Sequence, residues 1–404
     1  MHNIYVGSQP IYNKSLEIYA YHLLFRNNDI NKAQFSNEDQ ATSEVILNTL
    51  TNIGLDKIVG SHKASINFTR KFIIGEYPIP NMKDKIMVEI DRSTNLDDLM
   101  IENLNILGDK GYTLIMHKPH YQQYTQTKSD SEHEIIIKFD IKTYSRFELQ
   151  QILFSPKENN ISYLASKIET REEFDYCNSL DFEYYEGFFI CEPNIIKRKE
   201  IPSSKAHVIQ ILRKLYDEKY NIKEIETLIS TDVSFSYRIL RYANSSLLGL
   251  STRIDSIQHA ILMLGWNSVR MIATLLILTK MEDCPLEVIY FGVLRAKMCE
   301  NLAAQKNLDK NMAFAAGLFS IIDTLLSIKI EDILALIPLN ETLIAALLDG
   351  ETELGKLLFD TKSYISHQPE LATKSKLSRA TLGDAYIHAL QWTNESIPIL
   401  SEQE

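Results

Sequence analysis

The chain has 404 residues, more than one core usually organises, so two domains of about 200 residues each are the expectation. With 45% hydrophobic and 24% charged residues it can bury a core throughout, and a formal charge of −11 excludes a protein that coats nucleic-acid phosphates with clustered Lys and Arg. Cys177, Cys191, Cys284 and Cys299 stand too far apart for a CxxC metal or redox motif, so buried reduced thiols are expected and no cofactor is implied. The opening residues carry no basic-then-apolar leader pattern, and no apolar run reaches the ~18 residues of a membrane span, which points to the cytoplasm.

Short β-branched or apolar runs at residues 3–6, 64–68, 86–90, 112–116, 135–139 and 163–168 alternate with helical stretches at 43–52 and 96–107. That rhythm predicts βα units around a parallel sheet, closed or open. From about Ile201 the pattern changes: 208–220, 222–229, 234–246, 254–264, 267–280, 285–305 and 311–328 all read as helices. Gly249, Gly265, Pro202, Pro285, Pro338 and Pro369 fall between them, where helices start or stop. The polar, proline-bearing stretch 197–204 divides an α/β half, 1–198, from an all-α half, 199–404.

Several short motifs recur in order across the first half. After the opening GSQPIYNKSLEIYAYHLLFR come Ile66-Asn67-Phe68-Thr69, Val88-Glu89-Ile90, Gly111-Tyr112, Ile137-Lys138-Phe139-Asp140, Lys167-Ile168-Glu169-Thr170 and Glu186-Gly187-Phe188-Phe189. In that order and spacing they resemble the EAL phosphodiesterase family, especially the members in which an HDOD domain follows. The resemblance implies a (β/α) barrel. Active members hydrolyse cyclic di-GMP with two divalent cations, a chemistry that needs several anionic oxygens to hold the metals and the attacking water.

The same resemblance shows where those oxygens are missing. The glutamate that names the family falls on His22, and its aspartate pair on His117 and Lys118. Its catalytic glutamate falls on Ser166, its loop-stabilising glutamate on Arg92 and its late glutamine on Glu186. Asn67, Glu89, Lys138 and Glu169 survive, and Arg26 keeps the arginine that in the family contacts a phosphate of the dinucleotide. A lysine where two cations belong repels them by several kcal/mol at ~4 Å. The barrel is therefore expected to be inactive. Arg26, Asn67, Glu89, Lys138 and Glu169 form a vestigial pocket, in which Arg26 either grips nucleotide phosphate or forms a salt bridge to Glu89. A transition-metal site on His22, His117 and His120 is set aside, because nothing in the sequence supplies the carboxylate that steadies a ligating imidazole.

In the second half, Asp232, Ala243-Asn244-Ser245, Ile257-Gln258-His259-Ala260, Leu264-Gly265, Val293-Leu294-Arg295-Ala296, the run from Phe314 to Ser320 and Ile337-Pro338-Leu339 resemble the HDOD family. HDOD domains are kin of metal-dependent HD hydrolases. Where their His-Asp pair belongs, this chain reads Gly317-Leu318-Phe319-Ser320-Ile321-Ile322-Asp323, with Asp323 alone remaining. No metal is expected there. His259, on an apolar helix, reads as a buried histidine bonded to backbone, and Asn244 and Ser245 as side chains bonding back to carbonyls.

The expectation is a non-catalytic bacterial signalling protein, linked to cyclic di-GMP control of motility or biofilm formation. It would act through protein partners, with a homodimer compatible with this reading. The alternative is an effector that binds cyclic di-GMP without cleaving it.

Overall fold

The computed structural model describes residues 5–26, 54–127, 133–154, 160–191, 203–217, 233–245, 252–279, 285–366 and 372–401, with a few single positions between them. The chain divides into two compact units, Met1–Glu192 and Pro193–Glu404. The expected helix at 43–52, apart from Ile46, lies outside the described residues, as do Cys284, Gly249, Asp232, Pro202 and Pro369.

The first unit is a closed barrel of eight strands in sequence order: β1 (Tyr5–Tyr12), β2 (Ile18–Arg26), β3 (Lys63–Asn67), β4 (Ile86–Glu89), β5 (Leu114–His117), β6 (Ile135–Asp140), β7 (Ile161–Ile168) and β8 (Tyr184–Gly187). Strand β1 pairs antiparallel with both β2 and β8, while every pair from β2 round to β8 is parallel. The chemistry of the connections decides this. Between β1 and β2 a tight loop is tied by Asn13, whose side chain accepts the N–H groups of Ser15 and Glu17, and Leu16 takes a left-handed φ of 63°. A loop this short can only reverse the chain. The later connections carry α1 (Leu55–Val59), α2 (Arg70–Ile73), α3 (Asp98–Asp109), α4 (Lys118–Thr127), α5 (Arg146–Leu153) and α6 (Arg171–Asn178), long enough for parallel crossovers. Ser145 with Glu148 and Thr170 with Glu173 form reciprocal capping boxes that start α5 and α6.

Inside the barrel Ile11, Ala20, Met87, Ile115, Ile136 and Leu164 make an apolar plug, with Tyr19 and Tyr184 packed against it. Alternation with period two then points the residues two places further along to the same interior. Those are His22, Glu89, His117, Lys138 and Ser166, with Glu186 two places past Tyr184 on β8.

The second unit is helical among its described residues: α7 (Ser203–Tyr216), α8 (Val233–Ala243), α9 (Ile257–Leu264), α10 (Trp266–Thr279), α11 (Leu286–Ala303), α12 (Lys310–Phe319), α13 (Ile322–Leu326), α14 (Ile330–Leu336), α15 (Glu341–Leu348), α16 (Glu353–Ile365) and α17 (Arg379–Ser401). Helix α11 is its centre, buried along most of its length and packed against α12, α16 and α17. Gly317 lets α12 close on α11, since a Cβ there would stand 2.5 Å from Ala296 Cα. The single helix expected over 311–328 is broken: Ser320 turns its hydroxyl back to the Gly317 carbonyl, and Ile321 leaves helical geometry. Among the described residues no single helix is long and apolar enough to cross a membrane.

Candidate functional site

The interior layer above the plug is a buried network of charge. Lys138 is 6% exposed and its ammonium lies 2.7 Å from Glu89 Oε1 and 2.8 Å from Glu186 Oε2. His22 Nδ1 is 2.7 Å from Glu186 Oε1, and its Nε2 is 3.6 Å from Glu89 Oε2 and 3.3 Å from Asn67 Nδ2. Ser65, fully buried on β3, donates its hydroxyl to Glu89 Oε2 in a short bond. Every oxygen of both carboxylates therefore faces a donor or a cation.

The electrostatics follow from that packing. Burial pushes the carboxyls of Glu89 and Glu186 upward, but the facing charges of His22 and Lys138 outweigh it and hold both below the usual carboxylate range. Burial alone would lower Lys138, yet Glu186 and Glu89 raise it above an ordinary lysine. The network is an ionised core. At its edge His117 lies against β6, and burial together with the Lys138 charge pushes its imidazole down to about 4. Burial lowers His120 as well, and the two rings sit 6.4 Å apart in an edge contact.

The structure gathers only some of the residues singled out from sequence. His22, Asn67, Glu89, Lys138 and Glu186 meet directly. Ser166 is buried beside them, its hydroxyl turned to the Phe139 carbonyl. Glu169 is not part of this set: it is exposed and faces Lys142 at 3.4 Å. A left-handed Lys167, φ 63°, and a register shift after Ala165 carry the chain out of the strand pattern just before it. Arg92 is exposed and donates to Thr143. Lys118 opens α4 with its ammonium 5.6 Å from the centre of the Tyr121 ring, so the buried cation that meets the carboxylates is Lys138. The side chain of Arg26 lies outside the described residues. Among the described residues the partners of Glu89 are Ser65, Lys138 and His22.

Sequence reasoning missed one member and misread the role of another. Ser65 carried no motif, though its place two residues before Asn67 sets it on the same face of β3. Glu186 read only as a departure from a glutamine, whereas it is the second carboxylate of the network and the acid that steadies His22. The sequence had seemed to offer His22 no such carboxylate. Among the described residues no group of three or more His, Cys, Asp or Glu side chains is placed to hold an ion.

In the helical unit His259 is partly exposed and bonded to the Asp255 carboxylate at 3.1 Å, which corrects the expectation of a buried, backbone-bonded ring. The apolar face of α9 turns inward through Ile257 and Ala260, and His259 is not on it. Asn244 bonds Leu240 O and clamps Ile254 through both its N–H and carbonyl, and Ser245 bonds Tyr242 O. Asp323 accepts the N–H of Thr324.

Comparison with known proteins fits this division. Residues 201–337 match the family model of the HDOD domain. The chain is 29% identical over 399 residues to the uncharacterized protein YuxH of Bacillus subtilis, covering 96% of this chain and 98% of that one. It is 26% identical over 368 residues to the cyclic di-GMP phosphodiesterase CdgJ of Vibrio cholerae, covering 89% of this chain and 84% of that one. Among solved structures, an EAL domain protein from Listeria monocytogenes is 15% identical with a TM-score of 0.33, over 46% of this chain and 87% of that one. The chain thus carries an HDOD domain at residues 201–337 behind a closed eight-stranded barrel, and over most of its length it is similar to YuxH and CdgJ.

Proposed function

We propose that this chain is a non-catalytic regulatory protein in cyclic di-GMP-linked control of motility or biofilm formation, working through protein partners. The observation that supports this reading is the saturation of Glu89 and Glu186, whose four oxygens are already held by Lys138, His22 and Ser65. The two divalent cations that the EAL resemblance implies need anionic oxygens to bind. Here a fixed ammonium stands between the two buried carboxylates, Glu169 is turned to Lys142 and a serine stands where the base belongs. The residues present do not fit a two-cation centre, and no hydrolytic step is routed through them.

The test is direct. Incubation of the full chain with cyclic di-GMP and Mn²⁺ should release no linear dinucleotide, whereas turnover that Glu89→Ala abolishes would overturn the reading. Affinity purification from a native lysate should recover a signalling partner, and recovery of unfolding chaperones alone would count against the interaction role. A second reading, binding of cyclic di-GMP without cleavage, draws on one specific feature: Asn67 Oδ1 is buried without a partner beside His22. Calorimetry with cyclic di-GMP separates the two, and silence up to ~100 μM removes the second, since micromolar binding would be saturated there.

A further inference from the structure

Arg295, near the middle of α11, is 6% exposed. Its Nη1 reaches Ser320 Oγ at 3.4 Å, the far limit of a hydrogen bond, and its Nε has no partner. Among the described residues no carboxylate forms an ion pair with it. The acids of neighbouring helices are used elsewhere: Glu300 holds Lys297 at 2.8 Å, Asp360 accepts the N–H groups of Lys374 and Ser375, and Asp323 accepts that of Thr324. The thiol of Cys299, one turn along the helix, supplies no charge either, because burial pushes it up to about 12. A guanidinium cannot shed its proton to escape burial. An ion withdrawn from water without a counter-charge is among the costliest things a fold can carry.

The place is also distinctive. Ser320 opens the stretch through Asp323 in which the HDOD resemblance puts the His-Asp pair of metal hydrolases, so a fixed cation stands beside the position meant to collect cations. We propose that Arg295 and Ser320 form a binding site for a small oxyanion, a phosphate or carboxylate group, gripped by the free Nε edge of the guanidinium. Arginine suits both, since its planar fork matches either oxyanion with parallel N–H donors. The inference is independent of the barrel and of its proposed inactivity.

The experiment uses the full chain and follows thermal unfolding of the helical unit by tryptophan fluorescence, Trp266 and Trp392 both lying in that unit. Inorganic phosphate, acetate or GMP replaces chloride at constant ionic strength. In the wild type the midpoint should rise with at least one of the three. A rise with phosphate, acetate or GMP alone assigns free phosphate, a carboxylate or a nucleotide respectively. Arg295→Met should abolish the rise and, in chloride, unfold no earlier than the wild type, because it removes an unpaired buried charge. A wild type flat in all three up to about 10 mM, or an equal rise in Arg295→Met, overturns the proposal. If Arg295→Met does not fold, calorimetric titration of the wild type against Arg295→Lys replaces it. Heat that weakens in the lysine variant supports the site, and no wild-type heat with any of the three overturns it.

Discussion

Replacing Lys138 by methionine removes the one ammonium between two buried carboxylates and leaves Glu89 and Glu186 facing each other across the barrel. Breaking a buried pair from one side costs about 3–5 kcal/mol, and Lys138 serves two acids at 2.7 and 2.8 Å. In a unit of this size each kcal/mol moves the midpoint by about 2–4 °C, so the barrel should melt about 6–20 °C earlier. The pH dependence is the sharper readout. In the wild type both carboxyls titrate below their ordinary 4.5, so their contribution is complete above that pH and is lost as pH falls through the depressed values. Lys138 is raised above 10.5, so its contribution holds through neutrality and is lost only as pH rises through that raised value. In Lys138→Met burial and His22 remain while one of the two opposing groups is gone, so both carboxyls should titrate higher than in the wild type and the variant should lose less stability in mild acid. Circular dichroism follows the whole chain. Both tryptophans lie in the helical unit, so the fluorescence transition should stay where it was. A variant that melts within about 1 kcal/mol of the wild type, with an unchanged pH slope, would refute the ionised network.

Gly317→Ala should destabilise the helical unit by about 3 kcal/mol or more, since its methyl would meet the Ala296 backbone at 2.5 Å. Tryptophan-detected urea unfolding measures this, and an unchanged midpoint contradicts the close crossing of α11 and α12. His117 should titrate near 4 in a proton NMR series. Because its folded value lies below 6.5, the protein binds that proton more readily when unfolded, and stability declines as pH falls from 6.5 toward 4. His117→Leu should flatten that part of the acid limb, and an unaltered limb would mean that the ring is solvated.

The alternation of strands and helices, the switch to helices near Ile201 and the ordered motifs were legible because each depends on local period or on residue identity. Strand β2 was harder to see as a strand. Its run from Ile18 to Arg26 is apolar on both faces, as a barrel strand between plug and helices must be, so period-two alternation is faint. The break after Phe319 was invisible to helical periodicity, because the apolar pattern continues through Ile321 and Ile322 while Ser320 redirects its own backbone. In the barrel mouth, motif positions located His22, Asn67, Glu89, Lys138 and Glu186 but neither Ser65 nor the pairing among them. Which carboxylate meets which cation depends on contacts across the barrel, as with Lys138 on β6 reaching Glu186 on β8. Lys118 and Glu169 mark the opposite error, since each follows directly on a strand's last inward positions and the backbone turns away there.

Strand β1 closes the barrel by joining β8 over only two residue pairs, Ile11 with Glu186 and Tyr12 with Tyr185, although the two strands stand at opposite ends of the unit's sequence. That joint spans the longest stretch of sequence of any strand pair in the barrel and its ladder of two residue pairs is as short as that of β4–β5, so hydrogen exchange should report its opening before that of the β6–β7 pair. Each opening would bare the edges of two strands at once, a template for pairing with another chain. The link from His22 to Glu186 spans the inside of this joint, bridging β2 to β8 past β1. The charged centre thus works as a clasp on the barrel's last seam, a role its ions serve whatever chemistry the barrel mouth performs.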